Sequence, residues 1–192
     1  MWTVSDETNK IYKLDFTGNI LQILSFQGND LEGIAYDSEN NSLWVVEEVA
    51  RNLINVSLSG TVLQRFQQII PGYDNSGLEG ICFDSEHSLF LLKEKNPVQL
   101  IKLDDNYSVI QNLELDFAGD LSDICSTTGN SFWLVSDQEK SLYQITPTGN
   151  ILQQYELNIP KTEGIAYLEN HHEFYIVSDS ENRLYHYQLI NN

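Results

Sequence analysis

The chain has 192 residues, enough for one domain with a substantial core, and its apolar fraction of 41% argues against disorder. It carries 28 Asp and Glu against 10 Lys and Arg, which leaves a net charge of −18. A surface this acidic repels phosphate backbones and anionic membranes, so we predict no nucleic-acid partner and favour cations or basic surfaces. No apolar run approaches the roughly 18 residues of a membrane-spanning helix, so no membrane span is predicted.

In chain order, three short strands are predicted at 2–6, 11–14 and 20–24, and a complete unit of four follows at 31–36, 43–48, 53–58 and 62–66. We label the strands of this unit a to d. They are rich in β-branched and aromatic residues and are separated by turn formers, which is typical of strands joined by hairpins. The b, c and d strands return at 89–94, 98–103 and 109–113, and again at 132–137, 142–145 and 151–155; b and c return at 174–179 and 184–187.

Four antiparallel strands that recur every 40-odd residues predict an all-β fold, a single β-propeller domain of five four-stranded blades. The blades fall at about 1–28, 29–70, 71–118, 119–160 and 161–192. An aromatic residue four positions before the end of each b strand is predicted to pack between neighbouring blades; the column is Trp2, Trp44, Phe90, Trp133 and Tyr175.

The first and last blades are predicted to be incomplete. The chain begins in strand b of one blade and ends after strand c of another, which leaves strand a of the first and strand d of the last unaccounted for. These two strands would be contiguous just upstream of Met1, so we expect a truncated or mis-started chain. A closed ring with two deficient blades, or a dimer that fills the gap, are the alternatives.

Acidic residues return at two phases of the repeat. One series ends the b strands: Asp6, Glu48, Glu94, Asp137 and Asp179. The other lies in the a-strand tetrad Leu-Glu-Gly-Ile or Thr-Glu-Gly-Ile: Glu32, Glu79 and Glu163. Strand a is innermost in a propeller and runs antiparallel to b, so both series are predicted to point toward one mouth of the central channel. The b-strand acids have a structural alternative, since they could accept backbone N–H bonds in the b–c turn.

Carboxylates that converge without a counter-ion repel one another, and some must stay protonated. A hard divalent cation resolves this, and Ca²⁺ is preferred to Mg²⁺ because it takes about 6 to 8 oxygen ligands in flexible geometry. Zinc is disfavoured, since the four histidines share no repeat phase. We assign the metal role first to the three a-strand glutamates and second to the b-strand acids.

Two further positions are ligand-binding candidates. Lys93 stands where the other blades carry Ser or Glu, and it could hold an anionic substrate or partner or could neutralise neighbouring acids. Ser122 replaces the tetrad glutamate in the degenerate copy Leu121-Ser122-Asp123-Ile124, so this blade is expected to coordinate differently.

The Leu-Glu-Gly-Ile tetrads, the segment Lys93-Glu94-Lys95-Asn96-Pro97 and the ending Glu163-Gly164-Ile165-Ala166-Tyr167 resemble the SdiA-regulated (YjiK-like) family over essentially the whole chain. The resemblance implies a five-bladed propeller distantly related to NHL-repeat propellers, with a calcium site that we carry onto Glu32, Glu79 and Glu163. Members of the family usually have an N-terminal anchor or export segment and lie in the bacterial cell envelope. No established activity comes with the resemblance.

Three functions follow from these patterns. The leading hypothesis is a calcium-binding propeller without turnover that binds or senses a small molecule or protein at the channel mouth. The first alternative is a calcium-dependent hydrolase of the lactonase or esterase type, in which the cation polarises a carbonyl and Asp137 or Asp179 acts as general base. The second is a protein-interaction platform without metal, in which the acids are turn residues.

Overall fold

The computed structural model describes residues 1–72 and 75–190. Within them, 18 strands form five antiparallel sheets arranged as a five-bladed propeller, which confirms the predicted all-β fold. The strands of blade 1 are β1 (Trp2–Ser5), β2 (Lys10–Leu14) and β3 (Ile20–Ile23). Those of blade 2 are β4 (Leu31–Asp37), β5 (Ser42–Glu47), β6 (Asn52–Ser57) and β7 (Val62–Phe66).

The other three blades repeat this order. Blade 3 contains β8 (Leu78–Phe83), β9 (Leu89–Lys93), β10 (Gln99–Leu103) and β11 (Val109–Glu114). Blade 4 contains β12 (Asp123–Ser126), β13 (Phe132–Ser136), β14 (Ser141–Ile145) and β15 (Ile151–Glu156). Blade 5 contains β16 (Thr162–Leu168), β17 (Glu173–Ser178) and β18 (Arg183–Gln188), with a 3-10 turn at Glu169–His171.

Within each sheet, every strand pairs antiparallel with the strand that follows it in the chain. The strands of a blade therefore run in chain order from the channel outward. The inner strands pack side by side around the channel: β4 contacts β8, β8 contacts β12, and β12 contacts β16. Blade 1 has no inner strand among the described residues, so its innermost strand is β1, which packs against β4. Blades 1 and 5 meet through the rings of Phe16 and Tyr175, whose centroids are 5.2 Å apart.

The core lies between neighbouring blades rather than in one central mass. Trp44, Phe90 and Trp133 of the aromatic column are at most 2% exposed, and Phe90 packs on Phe132 of the next blade with ring centroids 4.7 Å apart. The Trp44 indole also donates a hydrogen bond to Asp37, with Nε1 3.3 Å from Oδ2. Burying Trp44, Phe90 and Trp133 joins neighbouring sheets through apolar area removed from water.

Across residues 1–72 and 75–190, no helix has the length and apolarity needed to cross a lipid bilayer.

Candidate functional site

The a-strand glutamates lie in β-bulges at the start of the inner strands. In blade 3, Leu78 pairs with Lys93 while Gly80 pairs with Leu92, so Glu79 is an extra residue on the inner strand. The same shift occurs around Glu163 in blade 5 and between Leu31 and Ile34 in blade 2. A bulge interrupts the two-residue alternation of the strand and re-aims a side chain. The repeat therefore places a glutamate at one deformed position of three inner strands.

Glycine follows each of these glutamates, and in blades 2 and 3 the reason is that the neighbouring inner strand passes very close. A Cβ at Gly33 would lie 2.4 Å from the Glu79 carbonyl oxygen, and a Cβ at Gly80 would lie 2.9 Å from the backbone nitrogen of Ile124. Neither glycine has a positive φ, so the close approach of the next strand is what requires it.

One cavity of about 900 Å³ opens at the mouth of the channel. Seven of the eight predicted metal ligands line it: Asp6, Glu32, Glu48, Glu79, Glu94, Glu163 and Asp179. The eighth, Asp137, does not line it. Its Oδ1 accepts a hydrogen bond of 2.6 Å from the Lys161 backbone, and its Oδ2 lies 3.9 Å from Lys161 Nζ. Glu48 accepts the equivalent bond, at 3.2 Å, from the Gly77 backbone of the next blade. The Lys161 ammonium is therefore what distinguishes Asp137 from Glu48.

Two groups of carboxylates are close enough to share a cation. In the first, which we call the Glu79 cluster, Glu48, Glu79 and Glu94 each offer one oxygen, and these oxygens lie within 4.8 Å of one another. In the second, the Glu32 cluster, the same holds for Asp30, Glu32 and Glu48. The Glu32 cluster lies in blade 2, the Glu79 cluster joins blades 2 and 3, and the two share Glu48.

Glu79 is the most deeply buried of the tetrad glutamates. It is 8% exposed, and no described residue donates a hydrogen bond to its carboxylate. Burial raises its pKa to about 11, and the charges of Glu32, Glu48 and Glu94 add to the effect. An ionised carboxylate in this position lacks the positive partner that buried charges require.

The pKa values of the other two tetrad glutamates are also raised, but by less. Burial, followed by the charges of Asp6 and Glu48, raises the pKa of Glu32 to about 8. Burial raises that of Glu163 to about 7, although the Lys161 ammonium opposes the shift. The mouth therefore holds more carboxylates than it can keep ionised without added positive charge.

Three residues that the sequence analysis did not assign contribute to the mouth. Asp30 joins the Glu32 cluster and also accepts a hydrogen bond of 3.1 Å from the Val49 backbone. Lys95 lines the cavity and pairs with Glu94. Asp123 accepts a hydrogen bond of 2.8 Å from the Ile165 backbone, and burial raises its pKa to about 7. A signal for Asp30 existed: an aspartate precedes the tetrad in blades 2 and 4, as Asp30 and Asp120.

The two ligand-binding candidates lie away from the cavity wall. Lys93 is 6% exposed, and its ammonium donates to the carbonyl oxygens of Lys95 and, at 3.1 Å, Pro97. Ser122 is 5% exposed, and its backbone N–H donates to the Val135 carbonyl at 2.9 Å. The lysines that line the cavity are instead Lys95, two positions further along the chain, and Lys161.

Solved structures with a similar fold include lyases and a protein of unknown function. A catalytically inactive virginiamycin B lyase from Staphylococcus aureus with quinupristin is 17% identical, with a TM-score of 0.60 over 100% of this chain and 70% of its own. A streptogramin B lyase is 19% identical, with a TM-score of 0.62 over 100% of this chain and 65% of its own. A protein of unknown function from Bacteroides caccae is 12% identical, with a TM-score of 0.60 over 97% of this chain and 72% of its own.

At these identities the similarity concerns the fold alone, and the chain spans about two-thirds of the length of the lyases. No curated protein sequence matches the chain significantly. The sequence model of the SdiA-regulated family matches residues 1–130 and 103–192, which together span the whole chain. The protein therefore belongs to the SdiA-regulated family of β-propellers.

Proposed function

We propose that this propeller binds a hard divalent cation, Ca²⁺ in preference to Mg²⁺, at the Glu79 cluster, with the Glu32 cluster as the adjoining acidic wall. The observation that carries the proposal is the environment of Glu79, a carboxylate that is 8% exposed, has no described donor and has two further carboxylate oxygens within 4.8 Å. A cation among these oxygens supplies the positive partner that Glu79 lacks and lets its carboxylate ionise.

The donor set favours calcium. Every candidate ligand is a carboxylate oxygen, and the ligands of the Glu79 cluster come from the end of β5, the bulge of β8 and the end of β9. Ca²⁺ tolerates such scattered ligands and irregular geometry, whereas Mg²⁺ demands a near-ideal octahedron and keeps more of its water.

Lys95 is the internal competitor for this position. Its ammonium pairs with Glu94, so without a cation it supplies part of the positive charge at the mouth. A divalent cation at the Glu79 cluster would displace this ammonium toward solvent, which the one-third exposure of the Lys95 side chain permits.

We further propose that the cation-loaded mouth binds or senses a small molecule or protein without turnover. The cavity of about 900 Å³ is large enough to admit more than an ion, and its rim is lined by charged groups. We place this action in the bacterial cell envelope, as the resemblance to the SdiA-regulated family implies.

The hydrolase alternative rests on a different part of the mouth. With Asp137 engaged by Lys161, the general base would be Asp179, which lines the cavity. The described residues that line the mouth include no histidine, so a neutral-pH base would have to be a carboxylate. The metal-free interaction platform requires instead that some of the carboxyl groups at the mouth stay protonated.

Calorimetric titration of chelator-treated protein with Ca²⁺ and with Mg²⁺ tests the proposal. We expect saturable Ca²⁺ binding with tighter affinity than Mg²⁺, strongly weakened by Glu79→Gln and unchanged by Glu156→Gln, a matched change on the exposed outer strand β15. If the wild type binds neither cation, the proposal is wrong and the metal-free interaction platform is favoured. Turnover of lactone or aryl-ester substrates that is lost with Asp179→Asn would favour the hydrolase.

A further inference from the structure

A backbone frame around Gly77 holds the Glu79 cluster between blades 2 and 3. The Gly77 backbone N–H donates to the Glu48 carboxylate of the preceding blade at 3.2 Å, and the Gly77 carbonyl accepts the Glu94 backbone N–H at 3.0 Å. Gly77 directly precedes the tetrad, so Glu79 follows two residues later in the bulge of β8. One short segment therefore positions all three carboxylates.

The same frame recurs between blades 4 and 5, with Lys161 in place of Gly77. The Lys161 backbone N–H donates to the Asp137 carboxylate of the preceding blade at 2.6 Å, and the Lys161 carbonyl accepts the Asp179 backbone N–H at 3.0 Å. Glu163 follows two residues later in the bulge of β16. We call the three acids of this junction the Glu163 triad; they are Asp137, Glu163 and Asp179, the counterparts of Glu48, Glu79 and Glu94.

The Glu163 triad is more open than the Glu79 cluster. Among the described residues, three carboxylate oxygens lie within 4.8 Å of one another only in the Glu79 and Glu32 clusters. Asp137 and Asp179 are each one methylene shorter than the glutamates at their positions in blades 2 and 3. The shorter side chains leave the carboxylates of the triad further apart.

The Lys161 ammonium lies at this triad. Its Nζ is 3.9 Å from Asp137 Oδ2, and its positive charge opposes the rise in the pKa of Glu163. At the equivalent position of blade 3, Gly77 has no side chain, and a Cβ there would lie 2.1 Å from the Glu48 carbonyl oxygen. The frame thus carries a cationic side chain at one junction and excludes any side chain at the other.

The other cationic side chains on the cavity wall are not paired with the triad. Lys95 pairs with Glu94 of the Glu79 cluster, and Arg183 makes no ion pair with a described residue. Lys161 is therefore the cation that the fold itself supplies to the junction between blades 4 and 5.

We propose that the Glu163 triad is a second cation site of the ring whose cation is the Lys161 ammonium. The ammonium supplies the positive charge that neighbouring carboxylates need, and it repels a divalent cation from the same position. Lys161 thereby decides which of two equivalent junctions takes the divalent cation, an assignment that rests on the proposed function.

Calorimetric titration of the chelator-treated full chain with Ca²⁺ tests the role of Lys161 through the number of ions bound. Lys161→Gly removes the ammonium and installs the residue of blade 3, and glycine suits the backbone because the φ of Lys161 is 50°. We expect one ion per chain for the wild type and two for Lys161→Gly, with the added site at least tenfold weaker because the triad is more open. Lys161→Arg keeps the positive charge and should bind one ion, as the wild type does.

A second lysine at the mouth provides the matched control. Lys95→Met also removes an ammonium from the cavity wall but leaves Lys161 in place, so it should still bind one ion. In the Glu79→Gln background the first site is lost, so Lys161→Gly should restore binding of one ion per chain, and a further Glu163→Gln change should abolish it. These variants measure the Glu163 triad separately from the Glu79 cluster.

The absence of a second ion in Lys161→Gly up to about 1 mM free Ca²⁺, the weak end of natural calcium sites, would overturn the proposal. A second ion in Lys161→Arg or in Lys95→Met would also overturn it, because the charge at position 161 would then not be what excludes the ion. A wild-type chain that binds no Ca²⁺, beside a Glu79→Gln and Lys161→Gly double variant that binds one ion, would refute the proposed function and still support the role of Lys161.

Discussion

Glu79→Gln should have opposite effects on stability in the absence and presence of calcium. Burial raises the pKa of Glu79 from its ordinary value of 4.5 to about 11, so the cation-free folded chain keeps this carboxyl protonated at pH 8. Keeping this carboxyl protonated lowers the free energy of unfolding by about 1.4 kcal/mol for each pH unit above the ordinary pKa. At pH 8 the loss is on the order of a few kcal/mol. Glutamine has nearly the same shape and carries no such cost. In EDTA the variant should therefore be more stable than the wild type.

We expect calcium to reverse the comparison. At 100 times the dissociation constant, a ligand that binds only the folded state adds about 2.7 kcal/mol to the unfolding free energy. For a domain of this size, that corresponds to a rise of roughly 5–11 °C in the melting temperature. The variant lacks the central ligand of the Glu79 cluster, so its melting temperature should barely respond.

Thermal melting at pH 8 in EDTA, Ca²⁺ and Mg²⁺ provides the measurement, with Glu156→Gln as a variant that should respond to calcium as the wild type does. The reasoning would be refuted by a variant that melts below the wild type in EDTA, because Glu79 would then be ionised and held by a protein donor. A variant that keeps the full calcium response would show that the ion lies elsewhere.

Three further outcomes are expected. Burial raises the pKa of Glu32 to about 8 and that of Glu163 to about 7. In EDTA the unfolding free energy should therefore fall as pH rises from about 4.5 through these values. Urea titrations at several pH values that show no such fall would contradict this prediction. Lys95→Met removes a competing ammonium and should tighten calcium binding about tenfold by calorimetry, since like charges a few ångströms apart repel by about 1 kcal/mol or more; weaker binding would mean that the lysine supports the site. Gly33→Ala places a methyl group 2.4 Å from the Glu79 carbonyl oxygen and should lower the unfolding free energy by about 1–3 kcal/mol in urea; no loss would show that the inner strands can separate freely.

The fold could be predicted from the sequence because its four-stranded unit is repeated. Short strands with the same turn formers recur at a nearly constant spacing, and an aromatic residue at a fixed phase supports the register independently. The acidic series could be assigned to one mouth for the same reason, since antiparallel pairing puts the end of strand b beside the start of strand a.

The details of the mouth depended on interactions that cross between blades. Asp137 has the same phase as Glu48 and Glu94, but the Lys161 ammonium of the following blade lies 3.9 Å from its carboxylate. The bulge that re-aims Glu79 is a shift of one residue in pairing, and a pattern of residue types does not specify such a shift. Asp30 enters its cluster from a repeat position at which only one other blade carries an acid, Asp120.

The Glu79 cluster lies across the junction between blades 2 and 3. Glu48 belongs to blade 2, whereas Glu79 and Glu94 belong to blade 3. In repeat proteins, stability is approximately a sum of the intrinsic terms of single units and the coupling terms between neighbours. An ion held across this junction would strengthen one coupling term and leave the intrinsic terms unchanged. Blades 2 and 3 would then unfold as a pair, and the concentration of free calcium outside the protein would set how firmly the pair is joined.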